Sequence, residues 1–129
     1  MNKARRYRLG DLQLKILKVL WERPGGAGVG EVLEALGAHA GLAYTTVATM
    51  LRKMEARGLV QHQAEGRRFI YRAAVRPEAV TRSMTGDVLE RLFEGSLADL
   101  LSHLLATHEV SREELLELER LIAERKKQS

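Results

Sequence analysis

The sequence predicts a mainly α fold with one small β-hairpin: an N-terminal unit over residues 1–76 and a C-terminal helical unit over residues 77–129. Three observations carry this expectation. Apolar residues recur at helical spacing along most of the chain. One pair of short strand-forming segments, Leu59-Val60-Gln61-His62-Gln63 and Arg68-Phe69-Ile70-Tyr71-Arg72, interrupts them. Charge also changes sign between the halves. Residues 1–76 carry fourteen Lys and Arg against six Asp and Glu, a balance of +8, and residues 77–129 carry seven against eleven, a balance of −4.

In the N-terminal unit, Leu12, Ile16, Leu17 and Leu20 form the stripe of a first helix ending at Trp21. Arg23-Pro24-Gly25-Gly26 stops that helix and turns the chain. Val29, Val32, Leu33 and Leu36 mark a second, short helix that ends at Gly37, and a linker from Ala38 to Leu42 follows. A third helix runs roughly from Ala43 to Arg57, with Val47, Met50, Leu51 and Met54 on its core side and Gly58 as an αL C-cap. Trp21, Met50 and Met54 read as core. Glu65-Gly66-Arg67 reads as the turn of the hairpin. A lone two-stranded hairpin is marginal in water, so it must lie against the helices. Three helices and a hairpin in this order describe a winged helix-turn-helix domain.

The C-terminal unit opens at Pro77, a residue favoured in a first helical turn. Val80, Met84, Val88 and Leu92 recur there at i+4, beside Leu89 and Phe93, up to Gly95. Ser96, with Asp99 three residues on, caps a second stripe of Leu97, Leu100, Leu101, Leu104 and Leu105. Ser111-Arg112-Glu113-Glu114 reads as a capping box before Leu115, Leu118, Leu121 and Ile122. About fifty residues bury too little surface to be stable alone. Self-association is therefore expected, as a homodimer through Val88, Leu92, Leu97, Leu100, Leu101, Leu104, Leu105, Leu118 and Ile122.

Composition narrows the function. The chain has no cysteine, which excludes a disulfide framework, a zinc ribbon and a thiolate metal sensor. Aromatics make up 5%, which argues against single-strand binding through stacked bases. Apolar runs fall far short of the ~20 residues of a bilayer span, and no apolar segment follows the basic N-terminus. A cytoplasmic protein without membrane contact is expected. His39, His62, His103 and His108 show no i+3 or i+4 pairing and no carboxylate cluster, so no metal is expected. No nucleophile elbow, phosphate loop or paired-carboxylate arrangement stands out, so neither catalysis nor a cofactor is expected. A basic half can bind a polyanion, and an acidic half should stay off it.

The third helix carries the chemistry. Thr45, Thr49, Arg52 and Ala56 lie about 140–200° round the helix from Val47, on the face opposite the core, with Thr46 and Lys53 flanking them. Threonine is a mediocre helix former, and a solvated face usually carries Glu, Lys and Gln. Thr and Arg, however, hydrogen-bond base edges and phosphates, and small side chains let a helix approach the groove floor. The turn adds Arg67 and Arg68, which can reach a phosphate or the minor groove. The N-terminal cluster of Lys3, Arg5, Arg6 and Arg8 adds nonspecific attraction. Against double-stranded operator DNA stand two alternatives. One is a winged-helix protein-interaction module, which would show apolar or acidic residues at Thr45, Thr49 and Arg52. The other is a small-molecule-responsive repressor of another winged-helix family.

Several segments together resemble the penicillinase-repressor family, the BlaI/MecI/CopY group of bacterial winged-helix repressors. They are Leu9-Gly10-Asp11-Leu12, Val19-Leu20-Trp21, Tyr44-Thr45-Thr46-Val47-Ala48-Thr49-Met50-Leu51, Gly58-Leu59-Val60 and Tyr71. The resemblance spans about Leu9 to Ile122. It implies a homodimer that binds inverted-repeat operators through the recognition helix, with Tyr44 joining the DNA-binding set, and that represses resistance or stress genes. In the family's β-lactam branch it implies an inducing protease as a further partner, with cleavage in the dimerisation domain. That position falls near His103-Leu104, where the family's Asn-Phe is absent. The copper branch uses C-terminal cysteine pairs, and this chain has none.

Overall fold

A computed structural model describes residues 7–37 and 41–129. Three helices come first: α1 (Asp11–Trp21), α2 (Val29–Leu36) and α3 (Tyr44–Ala56). An antiparallel hairpin follows, β1 (Val60–Glu65) and β2 (Arg68–Ala73), and then α4 (Pro77–Phe93), α5 (Leu97–Thr107) and α6 (Arg112–Lys127). This is the winged helix-turn-helix order, with a helical C-terminal segment.

The helical stripes converge on one core. Ile16, Leu17 and Leu20 of α1, Val32 of α2, and Val47, Leu51 and Met54 of α3 are buried together with Leu59, Val60 and Tyr71 at the base of the hairpin. Met50, expected in the core, is only partly buried at its edge, where Gln13 Nε2 donates to its sulfur at 3.4 Å. Trp21 also sits at the margin, and its indole N–H donates to the Val75 carbonyl at 2.9 Å. That bond satisfies the polar end of a largely apolar ring and ties α1 to the chain leaving the hairpin.

The chain divides into compact units Met1–Gly86 and Asp87–Ser129. The first runs past the expected boundary of 1–76, into α4. Val80 of α4 is buried in the N-terminal core, Met84 packs against it, and Ser83 Oγ accepts a hydrogen bond from Tyr7 N at 2.9 Å. The opening turns of α4 thus serve the N-terminal core. In the second unit, α5 and α6 hold no buried residue. Ser96 Oγ and Ser111 Oγ each accept the N–H of the third residue into their helix, Asp99 and Glu114, as the caps require.

The hairpin turn is tighter than the sequence suggested. Glu65 belongs to β1 and pairs with Arg68, which leaves a two-residue loop of Gly66 and Arg67. Gly66 has φ 64, so glycine fills the first loop position, as a type II′ turn demands. The outer edge of β2 is also used. Ala27 and Tyr71 exchange backbone hydrogen bonds of 2.9 and 2.8 Å, so the turn before α2 acts as a one-residue third strand.

Candidate nucleic-acid interface

Helix α3 buries Val47, Leu51 and Met54 and turns its other side outward. Tyr44, Thr45, Thr46, Arg52 and Lys53 are exposed, and Thr49 is half-exposed. Arg52 Nη2 lies 3.3 Å from Thr49 Oγ1, so these two side chains form one joined polar patch. Thr45 and Thr46 stand in the first turn, where helix N–H groups and the dipole favour an anion. Arg67 occupies the hairpin tip, and neither its side chain nor that of Lys53 makes a hydrogen bond or ion pair among the described residues. Both are cations free to meet a polyanion.

Arg68, also expected as a DNA contact, sits differently. Its Nη2 lies 2.5 Å from Glu31 Oε1 on α2. The same carboxylate oxygen accepts the Gly28 backbone N–H at 2.9 Å. The Gly28 hydrogen bond first, and Arg68 second, hold the Glu31 carboxyl below its usual pKa. On the α3 side, Glu55 faces His62 of β1, with Nδ1–Oε1 at 2.7 Å. The His62 ring is 4.4 Å from Phe69 and 5.5 Å from Tyr71, centre to centre. Burial is the first cause of the raised Tyr71 pKa, so its phenol stays neutral.

These groups border an open cleft of about 760 Å³ between the helix-turn-helix and the wing. Tyr44, Ala48 and Arg52 of α3 line it together with His62, Arg67, Arg68 and Phe69 of the wing. The expected residues of α3 and the wing therefore come together around one concavity. Sequence reasoning missed Glu31, Glu55 and His62. A signal existed for one of them: Gly28 three residues before Glu31 is the spacing at which a carboxylate reaches back to a helix start.

Three other expectations fall elsewhere. Lys3, Arg5 and Arg6 of the basic cluster, and His39, lie outside the described residues. Arg8 is described, and its carbonyl accepts a hydrogen bond from Arg57 Nη2 at 2.9 Å. The residues expected at a dimer interface all lie in the second unit, at the end of α4 and in α5 and α6. There Val88, Leu92, Leu97, Leu104, Leu105 and Ile122 are exposed, and Leu100, Leu101 and Leu118 half-buried. Leu101, Leu105, Leu118 and Ile122 share an apolar groove of about 400 Å³ between α5 and α6. Among the described residues, no helix is long and apolar enough to cross a membrane. None of their His, Asp or Glu side chains form a group of three suited to a metal.

The chain is similar along most of its length to known regulators. It is 26% identical over 118 residues to the penicillinase repressor of Bacillus licheniformis, covering 92% of this chain and 91% of that one. It is 34% identical over 122 residues to the transcriptional regulator BlaI of Mycobacterium tuberculosis, covering 94% and 87%. Among solved structures, the monomeric form of Bacillus licheniformis BlaI in complex with the blaP half-operator is 25% identical, with a TM-score of 0.49, covering 58% of this chain and 90% of that one. The family model described as Penicillinase repressor matches residues 9–124. With nearly the whole chain matched, this protein belongs to the penicillinase-repressor family.

Proposed function

We propose that this chain is a cytoplasmic, homodimeric repressor that binds an inverted-repeat DNA operator and controls a resistance or stress gene set. The observation that carries the reading is the outward face of α3. Thr45, Thr46, Thr49, Arg52 and Lys53 stand exposed or half-exposed beside an unpaired Arg67 on the wing. In this reading α3 enters the major groove, where Thr49 and Arg52 read base edges. Tyr44, Thr45 and Thr46 at its N-terminus, with Lys53 at its flank, fix the helix on the backbone, and Arg67 reaches a flanking phosphate. The relatives support it: a penicillinase repressor and a transcriptional regulator match over nearly their full lengths.

The C-terminal unit supplies the second copy in this proposal. Its leucines lack a core of their own, and a two-fold axis through them presents two recognition helices to one operator. Two half-sites then lie about one DNA turn apart or a multiple of it, roughly 34–36 Å per turn. Release by an inducing protease belongs to the same reading, with the segment near His103-Leu104 as the place to look for a cut. The salt dependence of duplex binding tests the DNA reading. For roughly 6–10 phosphates contacted per dimer, log K falls with log salt at about −0.9 per phosphate. A slope near zero removes DNA as the partner. Mass measurement of untreated repressor isolated from induced cells tests the protease: an intact chain rejects it.

A further inference from the structure

We propose that Arg68 positions the wing through Glu31 and is not a phosphate ligand, which leaves Arg67 as the DNA-contacting arginine of the wing tip. The proposal rests on the DNA reading above for the role of Arg67, and on the geometry of α2 and β2 for the role of Arg68. The two arginines are neighbours in sequence and differ in surroundings. Arg67 has no partner among the described residues. Arg68 meets a carboxylate that is already fixed, because Glu31 Oε1 accepts from Gly28 N at 2.9 Å and from Arg68 Nη2 at 2.5 Å. Glu31 is thus ordered before the arginine arrives, and the pair is spared part of the side-chain entropy that weakens most exposed ion pairs. A Cβ at residue 28 would come within 2.8 Å of Arg68 Nη2, so glycine there admits the close approach.

The hairpin needs such a strut. A two-stranded ribbon is marginal alone, and its nearest backbone tie to the helices on the β2 edge is the Ala27–Tyr71 pairing. Arg68 attaches β2 three residues beyond that point, beside the loop. On the opposite strand, Glu55 holds His62. Each strand of the wing is therefore held by one carboxylate, from α2 on one side and α3 on the other. Charge supports the same division. Glu31 offsets the field of Arg68 at the tip, so a passing phosphate meets Arg67 as the uncompensated cation, and counterion release follows that cation.

The test measures binding of a labelled random-sequence duplex by anisotropy across roughly 50–200 mM salt, using the full chain. Arg67→Ala reduces the magnitude of the log–log slope by about 0.9 per protomer. Arg68→Ala leaves the slope at the wild-type value and weakens binding about two- to five-fold. Amide exchange in the free protein reads the strut without DNA. Arg68→Ala and Glu31→Ala each speed exchange at Glu65–Arg68 by the same factor, and the double variant adds nothing. The proposal is overturned by a slope reduction in Arg68→Ala like that of Arg67→Ala, or by wing-tip exchange that stays at the wild-type rate. A wild-type slope near zero would instead sink the DNA reading, and the exchange data still decide whether Arg68 holds the wing.

Discussion

Thr49 and Arg52 sit one helical turn apart on the outer side of α3, with Arg52 Nη2 and Thr49 Oγ1 at 3.3 Å. A guanidinium braced by a neighbouring hydroxyl has fewer rotamers to lose on meeting a base. Thr49→Ala and Arg52→Ala should therefore weaken operator binding by ~1–3 kcal/mol for a true base reader and weaken random duplex less. Arg67→Ala should weaken both DNAs alike, and titration of each variant against both checks the division. Equal losses on the two DNAs for Thr49→Ala and Arg52→Ala would show that the helix face grips backbone only. A pH prediction belongs to Glu31. Its folded pKa is lowered, by the Gly28 hydrogen bond first and Arg68 second. A depressed carboxylate contributes fully above its unfolded pKa and loses that contribution as pH falls through its folded value. Protection of wing-tip amides, corrected for intrinsic exchange, should fall in wild type on acidification through and below the ordinary carboxylate range. In Glu31→Gln it should start lower and stay flat. The Thr and Arg face was legible in the sequence because helical period alone places residues around an axis. The clamps were not, because Glu31 and Arg68 are 37 residues apart, and only the seating of the wing brings them together.

Elements were legible where one period ran for several turns. The stripes of α2 and α3 follow i, i+3, i+4, i+7 and that of α1 follows i, i+4, i+5, i+8, and the structure buries Leu17, Val32, Leu51 and Met54 on them. Leu51→Ala should cost about 2–5 kcal/mol in a thermal or urea melt, because its side chain is fully enclosed. The hairpin was legible in existence and less so in register. Glu65 looked like a turn residue by its type, yet it pairs with Arg68, since the II′ loop needs only Gly66 and Arg67. The tie at Ala27 carried no periodic signal at all. It depends on Gly26, whose φ is 89 and whose added Cβ would fall 2.6 Å from Ile70 Cγ2 and 2.9 Å from the Tyr71 carbonyl. Gly26→Ala should thus strain the backbone and push β2 away, costing about 1–3 kcal/mol. A melt within error of wild type would show that the turn can re-form without its glycine.

At the scale of the whole molecule, the two units contrast in how they use apolar residues. The first encloses its leucines and valines, and the second leaves Leu92 71% and Leu97 67% exposed. Exposed apolar side chains of this kind are what an association surface presents, and in the proposed dimer a second copy presents the same stripes under two-fold symmetry. The groove between α5 and α6 is lined by Leu101, Leu105, Leu115, Leu118 and Ile122. Leu101→Asp would place a carboxylate in that groove, where burial without a partner is costly. The wild type should sediment as a dimer at micromolar concentration and Leu101→Asp as a monomer. Because the N-terminal core lies in a separate compact unit, the variant should keep the helical circular dichroism and melting of the winged helix. Its affinity for a single half-site should match wild type, while its affinity for the full inverted repeat should drop to that half-site level, because linking two sites supplies avidity that a monomer lacks. Wild type sedimenting as a monomer, or a monomeric Leu101→Asp binding the full repeat as tightly as wild type, would rule out dimerisation through these leucines as the basis of operator recognition.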